Sequence, residues 1–303
     1  MGNGKEGFSA NLSFILCVCP LLGHFRSAPL YFVTSYSILR CKKLVEKVKD
    51  LNQNHQDRKS DKFINIGTHN LRVVLSDIPS EYTIVLEAGG GEYSEVYSKI
   101  QDSIVNQTKI RTMSYDRSGY GQSELGPADF KAIDEVKAVK KCLEIQGLEN
   151  NYILVGHSYG GLLIQLFCMQ YPELVKGMVL IDPMNVRFVD EFGLDNLNAV
   201  TPYFKNPTEN HEKAGNRMTD YFPEALELLR GKDLPNEMPV ILITAGKFPI
   251  AADIWRNCHQ EMIKNSENHQ IIIAEENSHD IIRENPELVI NAIKEMVNTI
   301  KSE

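Results

Sequence analysis

The chain lacks the marks of several protein classes. None of its six cysteines stands in a C-x-x-C pair, so no zinc or redox motif is written into it, and Cys168 sits in an apolar run, as a reduced thiol does. A reduced compartment, the cytoplasm, is the expected location. A basic surplus is missing too, since 32 Lys and Arg face 40 Asp and Glu for a formal net charge of −8. Phosphate-backbone binding draws on a basic face that releases counterions, which excludes nucleic acid as the main partner. No uninterrupted apolar run reaches the roughly 20 residues that cross a bilayer. The nearest approach, Leu12 to Leu39, is broken by Pro20, Arg26 and Pro29. No small-residue cleavage site follows LSFILCVCPLL, and Glu6 stands where an N-myristoylation signal has Ser or Thr. Tryptophan occurs once, at Trp255.

What is present describes a globular chain. Hydrophobic residues make up 43% and charged residues 24%, enough to build a sizeable core. At roughly 150 residues per domain the length allows two domains, but the pattern divides it into an N-terminal extension over 1–60 and a core over 61–303. Within the extension, 12–39 reads as a membrane-associating or packing segment, with a cleaved or anchoring signal as the alternative. Weak membrane association is the expectation that follows. Arg40 to Ser60 is charged and reads as an exposed helix or linker.

From Lys62 onward short apolar runs of strand type recur: Phe63–Ile66, Leu71–Leu75, Tyr82–Glu87, Lys109–Tyr115, Tyr152–Gly156, Gly177–Asp182, Pro239–Thr244 and Gln270–Ala274. Most are near-continuous hydrophobics, as strands covered on both faces are. Segments of helical periodicity separate them, at Tyr93–Asn106, Asp129–Gln146, Ser158–Tyr171, Ala252–Ser266 and Pro286–Lys301. This alternation predicts an α/β fold, a mostly parallel eight-stranded sheet with helices on both faces. The stretch 183–238 breaks the rhythm. Its helical pieces, Val189–Val200 and Phe222–Leu229, predict an inserted helical cap.

Tyr152 to Gly161 reads YILVGHSYGG and contains the G-x-S-x-G pattern Gly156-His157-Ser158-Tyr159-Gly160. The pattern is short enough to arise by chance, so context decides: an apolar strand runs into it and the apolar helix LLIQLFCM runs out. In such a turn the serine takes a strained conformation, and only glycine leaves room for the closely packed chain on either side. Ser158 then stands above the sheet edge at a helix N-terminus, where backbone amides and the dipole favour negative charge. Ser158 is the candidate nucleophile.

With these residues the chain resembles the α/β-hydrolase superfamily over about four-fifths of its length, from Lys62 to the end. The matching pieces are TIVLEAGGG, SYDRSGYGQS, VGHSYGG, VLIDP and ENSHDIIRENPELVINAI, in the superfamily's order. The resemblance implies an oxyanion hole of two backbone amides, one from Tyr159 and one from Gly90 in the Ala88-Gly89-Gly90 loop. The segment Asp116–Gly121 is expected to shape the wall beside that loop. Among eight histidines, a base must lie at the carboxyl edge of the sheet. His279, on a loop after the last strand, meets that condition, and it matches the family's late histidine. His269 precedes that strand, His259 lies within a helix, and His157 is inside the elbow. Asp182 is the candidate acid, with Asp253 as the alternative. Asp182 ends the sixth strand, whereas Asp253 lies beyond Gly246-Lys247-Phe248-Pro249, where proline takes the place of the family's aspartate; Asp253 also suits a helix N-cap. Glu275, Glu276 and Asp280 are the remaining candidates.

The chemistry so implied is acyl transfer to water from an ester or related bond, with neither metal nor organic cofactor. Haloalkane dehalogenation is disfavoured, since its nucleophile would be Asp where this elbow has Ser158. Peptide, thioester or carbon-carbon bond hydrolysis, acyl transfer, and a non-catalytic ligand-binding protein stay open, because fold and triad do not separate them. Met184, Phe188, Phe192, Tyr203, Phe204, Tyr221 and Phe222 make the cap apolar and aromatic. They suit a small, hydrophobic acyl substrate; equally, they can simply pack the cap onto the core, as Trp255 is expected to pack.

Overall fold

The computed structural model describes residues 59–76 and 78–302. The segment 12–39 and the charged stretch up to residue 58 lie outside the described residues. Eight strands form one sheet: β1 (Lys59–Asn65), β2 (Asn70–Ser76), β3 (Thr83–Glu87), β4 (Arg111–Tyr115), β5 (Tyr152–His157), β6 (Val175–Ile181), β7 (Val240–Ala245) and β8 (His269–Ala274). Their order is β1-β2-β4-β3-β5-β6-β7-β8. β1 and β2 pair antiparallel, β2 meets β4 antiparallel, and every later pairing is parallel.

The strands sort their side chains by the period of two. Ile84 and Leu86, Ile153 and Val155, Val179 and Ile181, and Ile241 and Ile243 enter one core layer. It is closed by α1 (Ser98–Thr108) and the C-terminal α9 (Pro286–Ser302). The residues between them, Val85, Leu154, Met178, Leu180 and Leu242, enter the opposite layer beneath α2 (Ala132–Ile145) and α3 (Tyr159–Gln170). Each fully buried aliphatic side chain contributes about 1.5–3 kcal/mol. Burial on both faces explains why these strands read as continuous apolar runs.

Three elements differ from the sequence expectation, each for a physical reason. β1 starts at Lys59, ahead of the apolar FINI run, because an edge strand needs little hydrophobic burial; only Ile64 of it is buried. Between β6 and β7 lie α4 (Val186–Phe192), α5 (Leu194–Val200) and α6 (Asn210–Leu229). The single helix expected over Val189–Val200 is cut in two at Gly193, whose φ of 96° favours glycine. α6 starts at Asn210, well before Phe222, and its first half escapes the hydrophobic period because it buries Asn216 and Arg217 beside Ala214. Asn216 exchanges hydrogen bonds with the Phe204 backbone at 2.9 and 2.7 Å. Arg217 donates to the carbonyls of Ser118 at 3.1 Å and Pro127 at 3.0 Å. A face buried through hydrogen bonds carries no hydrophobic period.

After β7 come α7 (Ala252–Ile263) and, beyond β8, the short α8 (Ile281–Glu284). Cys142, Cys168 and Cys258 are free and buried, and burial pushes the Cys142 thiol up to about 12. No helix among the described residues is long and apolar enough to cross a membrane.

Candidate active site

Strand order reverses between β3 and β5, whose outgoing chains depart to opposite sides. Open α/β sheets hold ligands in the crevice outside the carboxyl ends at such a point. The glycine loop Gly89–Gly91 leaves β3 there, and Ser158 leaves β5 beside it.

Ser158 has φ 52° and ψ −119°, a conformation costing of order 1–3 kcal/mol for a non-glycine residue. The surroundings hold it there. Its N–H donates to the Ile181 carbonyl at 3.0 Å, and its carbonyl accepts from Met184 at 3.0 Å and Leu162 at 3.3 Å. A Cβ on Gly160 would strike the Glu87 and Ala88 carbonyls, and one on Gly156 would meet the Gly160 carbonyl at 2.6 Å. Both glycines are therefore required by close approach.

Ser158 Oγ lies 2.9 Å from Nε2 of His279. His279 Nδ1 lies 2.5 Å from Asp182 Oδ2. Asp182 is fully buried, and its other oxygen accepts from the Ala245 amide at 2.8 Å and the Trp255 indole at 2.7 Å. Burial pushes its carboxyl up; the hydrogen bond with His279, the nearby His259 and His279 charges and the Ala245 amide outweigh burial and hold it below the ordinary aspartate value. Asp253 is exposed in the first turn of α7 and does not cap it, because the N-cap is Ala251. The structure thus brings Asp182, not Asp253, against His279. Glu276 pairs instead with Lys247 at 2.6 Å, and Asp280 with Arg283 at 3.1 Å.

Three residues set aside from catalysis in the sequence touch this line. His157 Nε2 donates to the His279 carbonyl at 2.8 Å, while its Nδ1 lies 3.2 Å from Glu92 Oε2. Burial raises the Glu92 carboxyl, but His157 and Arg283 more than reverse that and hold it at about 2. Trp255 was expected only to pack. It does stack on Phe248, with centroids 4.0 Å apart, yet it also donates to Asp182. Both rings stand edge-on to the His279 imidazole, with centroids at 5.2 and 5.8 Å. Phe248 and Trp255 thus form an aromatic shelf beside His279, while Asp182 supplies the carboxylate. His259 is buried and bonds Thr244 and the Pro183 carbonyl, both at 2.8 Å. The requirement that a buried indole N–H find a partner was the available signal for Trp255; Glu92 carried none.

The amides of Gly90 and Tyr159 have no protein acceptor among the described residues. A Cβ on Gly90 would lie 3.7 Å from Tyr159 Cβ and 3.2 Å from the Met218 methyl of α6, so Gly90, Tyr159 and α6 pack close together. A cavity of about 440 Å³ opens over Ser158 and His279, with Gly89, Gly90, Glu92, Lys247 and Arg283 among its walls. None of the seven apolar residues singled out in 183–238 lines it. Phe188 is wholly buried and stacks on Phe192, with centroids 5.2 Å apart. The described residues include no cluster of three or more His, Cys, Asp or Glu able to hold a metal.

An elbow serine, a late-loop histidine and an acid at a strand end, arrayed on this sheet, define a class. The model of the α/β-hydrolase fold family matches residues 82–279, and the chain belongs to that family. Among relatives, the uncharacterized protein YqjL of Bacillus subtilis is 29% identical over 71% of this chain and 83% of its own. A proline iminopeptidase of Saccharolobus solfataricus is 20% identical, over 72% of this chain and 85% of its own. A putative esterase/lipase of Mycoplasma genitalium is 27% identical, over 43% and 46%. Among solved structures, mouse alpha/beta hydrolase domain-containing protein 10 superposes with a TM-score of 0.63 at 19% identity, covering 80% of this chain and 99% of its own. That likeness speaks to the fold.

Proposed function

We propose that the chain is a serine hydrolase that cleaves an ester or related acyl bond through a covalent acyl-enzyme. One observation carries the reading: the unbroken line from Ser158 Oγ through the His279 ring to Asp182, at 2.9 and 2.5 Å. Ser158 attacks the carbonyl carbon as His279 Nε2 takes its proton. Asp182 fixes the imidazole's orientation and balances its charge. The Gly90 and Tyr159 amides receive the developing oxyanion. His279 then returns the proton to the leaving group, and water repeats the sequence to release the acid. The substrate enters the cavity over Ser158, where the exposed heads of Lys247 and Arg283 keep one wall wet.

The test is turnover of p-nitrophenyl esters of increasing chain length, with fluorophosphonate labelling. Ser158→Ala should lose label and fall in kcat on the order of 10^4- to 10^6-fold. Turnover unchanged in that variant sinks the assignment. The relatives' names span esterase and iminopeptidase, so a proline-arylamide run beside the esters decides the bond type.

A further inference from the structure

Three successive glycines, Gly89 to Gly91, form the loop after β3. Glycine has little conformational preference, so the Gly89–Gly90 peptide could turn either edge to the cleft. The edges are opposite in character, because the C=O and the following N–H of a trans peptide point in opposite directions. With the N–H inward the loop stabilises an oxyanion; with the C=O inward it repels one. Within the loop a single bond bears on that choice: the Gly89 carbonyl accepts from the Glu92 amide at 3.2 Å.

Arg117, from the turn after β4, adds a charged clamp to that one neutral bond. Its side chain is 1% exposed, and the two arms of its guanidinium donate to successive carbonyls, Nη1 to Ala88 and Nη2 to Gly89. Holding both carbonyls on one side turns the Gly89 and Gly90 N–H groups to the other. The Gly89 amide follows this rule, donating at 3.3 Å to Glu92 Oε2, and Glu92 is a wall of the cavity. The Gly90 amide is next in the row. Successive amides on one side form an anion-binding concavity.

The guanidinium is itself fixed in place. Glu87 accepts from Nη1 at 2.8 Å, Glu135 lies 3.8 Å from Nε, and the Tyr120 and Tyr159 rings lie 5.3 and 5.5 Å away. The geometry points to Arg117 as the positioning residue of the oxyanion hole, acting through the Gly89–Gly90 peptide and never touching substrate. Its kinetic consequence rests on the serine-hydrolase reading; its structural consequence does not.

Two variants test this. Arg117→Met with Glu87→Gln removes the fork without leaving Glu87 as a buried, unpaired carboxylate, and Arg117→Lys keeps the charge but loses the rigid fork. For the Met variant kcat on a p-nitrophenyl ester should fall about 100- to 1,000-fold with KM within about threefold, the loss expected of one oxyanion donor. The inhibition constant of a trifluoromethyl ketone, which binds as a tetrahedral oxyanion, should rise in parallel. Arg117→Lys should fall between the Met variant and the unaltered protein, and it is read the same way if the Met variant does not fold. A crystal structure of the variant should show the Gly89–Gly90 peptide reversed or disordered. A folded variant with that peptide unmoved and kcat within about threefold of the unaltered protein, against the loss a missing donor causes, overturns the inference. If the unaltered protein turns over no ester, the proposed function fails, and the peptide's orientation in the variant still decides the role of Arg117.

Discussion

Replacing Trp255 by Phe isolates one hydrogen bond to a buried acid. The ring and its stacking on Phe248 are largely kept, while the N–H that Asp182 Oδ1 accepts at 2.7 Å is lost. A hydrogen bond to a charged group contributes about 1.5–3 kcal/mol, and its loss should raise the Asp182 pKa. The smaller ring adds a packing loss of roughly 1–2 kcal/mol that does not depend on pH. The sign follows from linkage. Asp182 titrates below its ordinary value of 3.8 in the folded chain, so it contributes stability that is present above the unfolded pKa and lost as pH falls through the folded one. The variant contributes less. Its excess destabilisation should therefore be constant at neutral pH and should vanish between its own folded pKa and the lower one of the unaltered protein, leaving only the packing loss. Urea unfolding followed by circular dichroism at a series of pH values measures this, since Trp255 is the only tryptophan and its fluorescence goes with it. The Asp182 carboxyl titration, read by carbon NMR, gives the pKa directly. A destabilisation that is the same at every pH, with an unmoved carboxyl pKa, refutes the hydrogen-bond argument and reduces Trp255 to packing.

Two further outcomes are expected. His157→Phe removes the donor to the His279 carbonyl at 2.8 Å and should lower kcat/KM about 2- to 10-fold, the equivalent of roughly 0.5–1.5 kcal/mol. His157→Gln retains an N–H and should lose less, so equal losses in steady-state assays would count against a positioning role. Leu154→Ala, at a β5 side chain 1% exposed, should cost about 2–5 kcal/mol in urea unfolding; a loss below about 1 kcal/mol would show that the layer under α2 and α3 refills the space.

The sheet was legible because β3, β5, β6 and β7 are buried on both faces and so write themselves as apolar runs. Ser158 was legible because the elbow's two glycines answer close contacts with neighbouring backbone, and those contacts come from strands the sequence already marks. The partner of His279 was not. Asp182 and Asp253 are both aspartates near strand ends, and what separates them is that Ala245 and Trp255 converge on one of them from other elements. Polar burial also hid the first half of α6, where Asn216 and Arg217 replace hydrophobic contacts by hydrogen bonds to Phe204, Ser118 and Pro127.

Ser158 and Asp182 stand at the ends of adjacent strands, and the backbone links Ser158 N to Ile181 O and Met184 N to Ser158 O, each at 3.0 Å, stitch those ends together. Their separation is therefore inherited from the ladder spacing of about 4.8 Å between neighbours, a rigid pitch shared by the whole sheet. Only the imidazole arrives from outside that lattice, on the turn between β8 and α8, steadied by Ser278 donating to Glu284 at 2.7 Å through its amide and 2.6 Å through its hydroxyl. Mechanical slack in the constellation thus belongs to one element. A ligand, a crystal contact or a substitution that shifts the triad's geometry without unfolding the chain has a single adjustable joint on which to act.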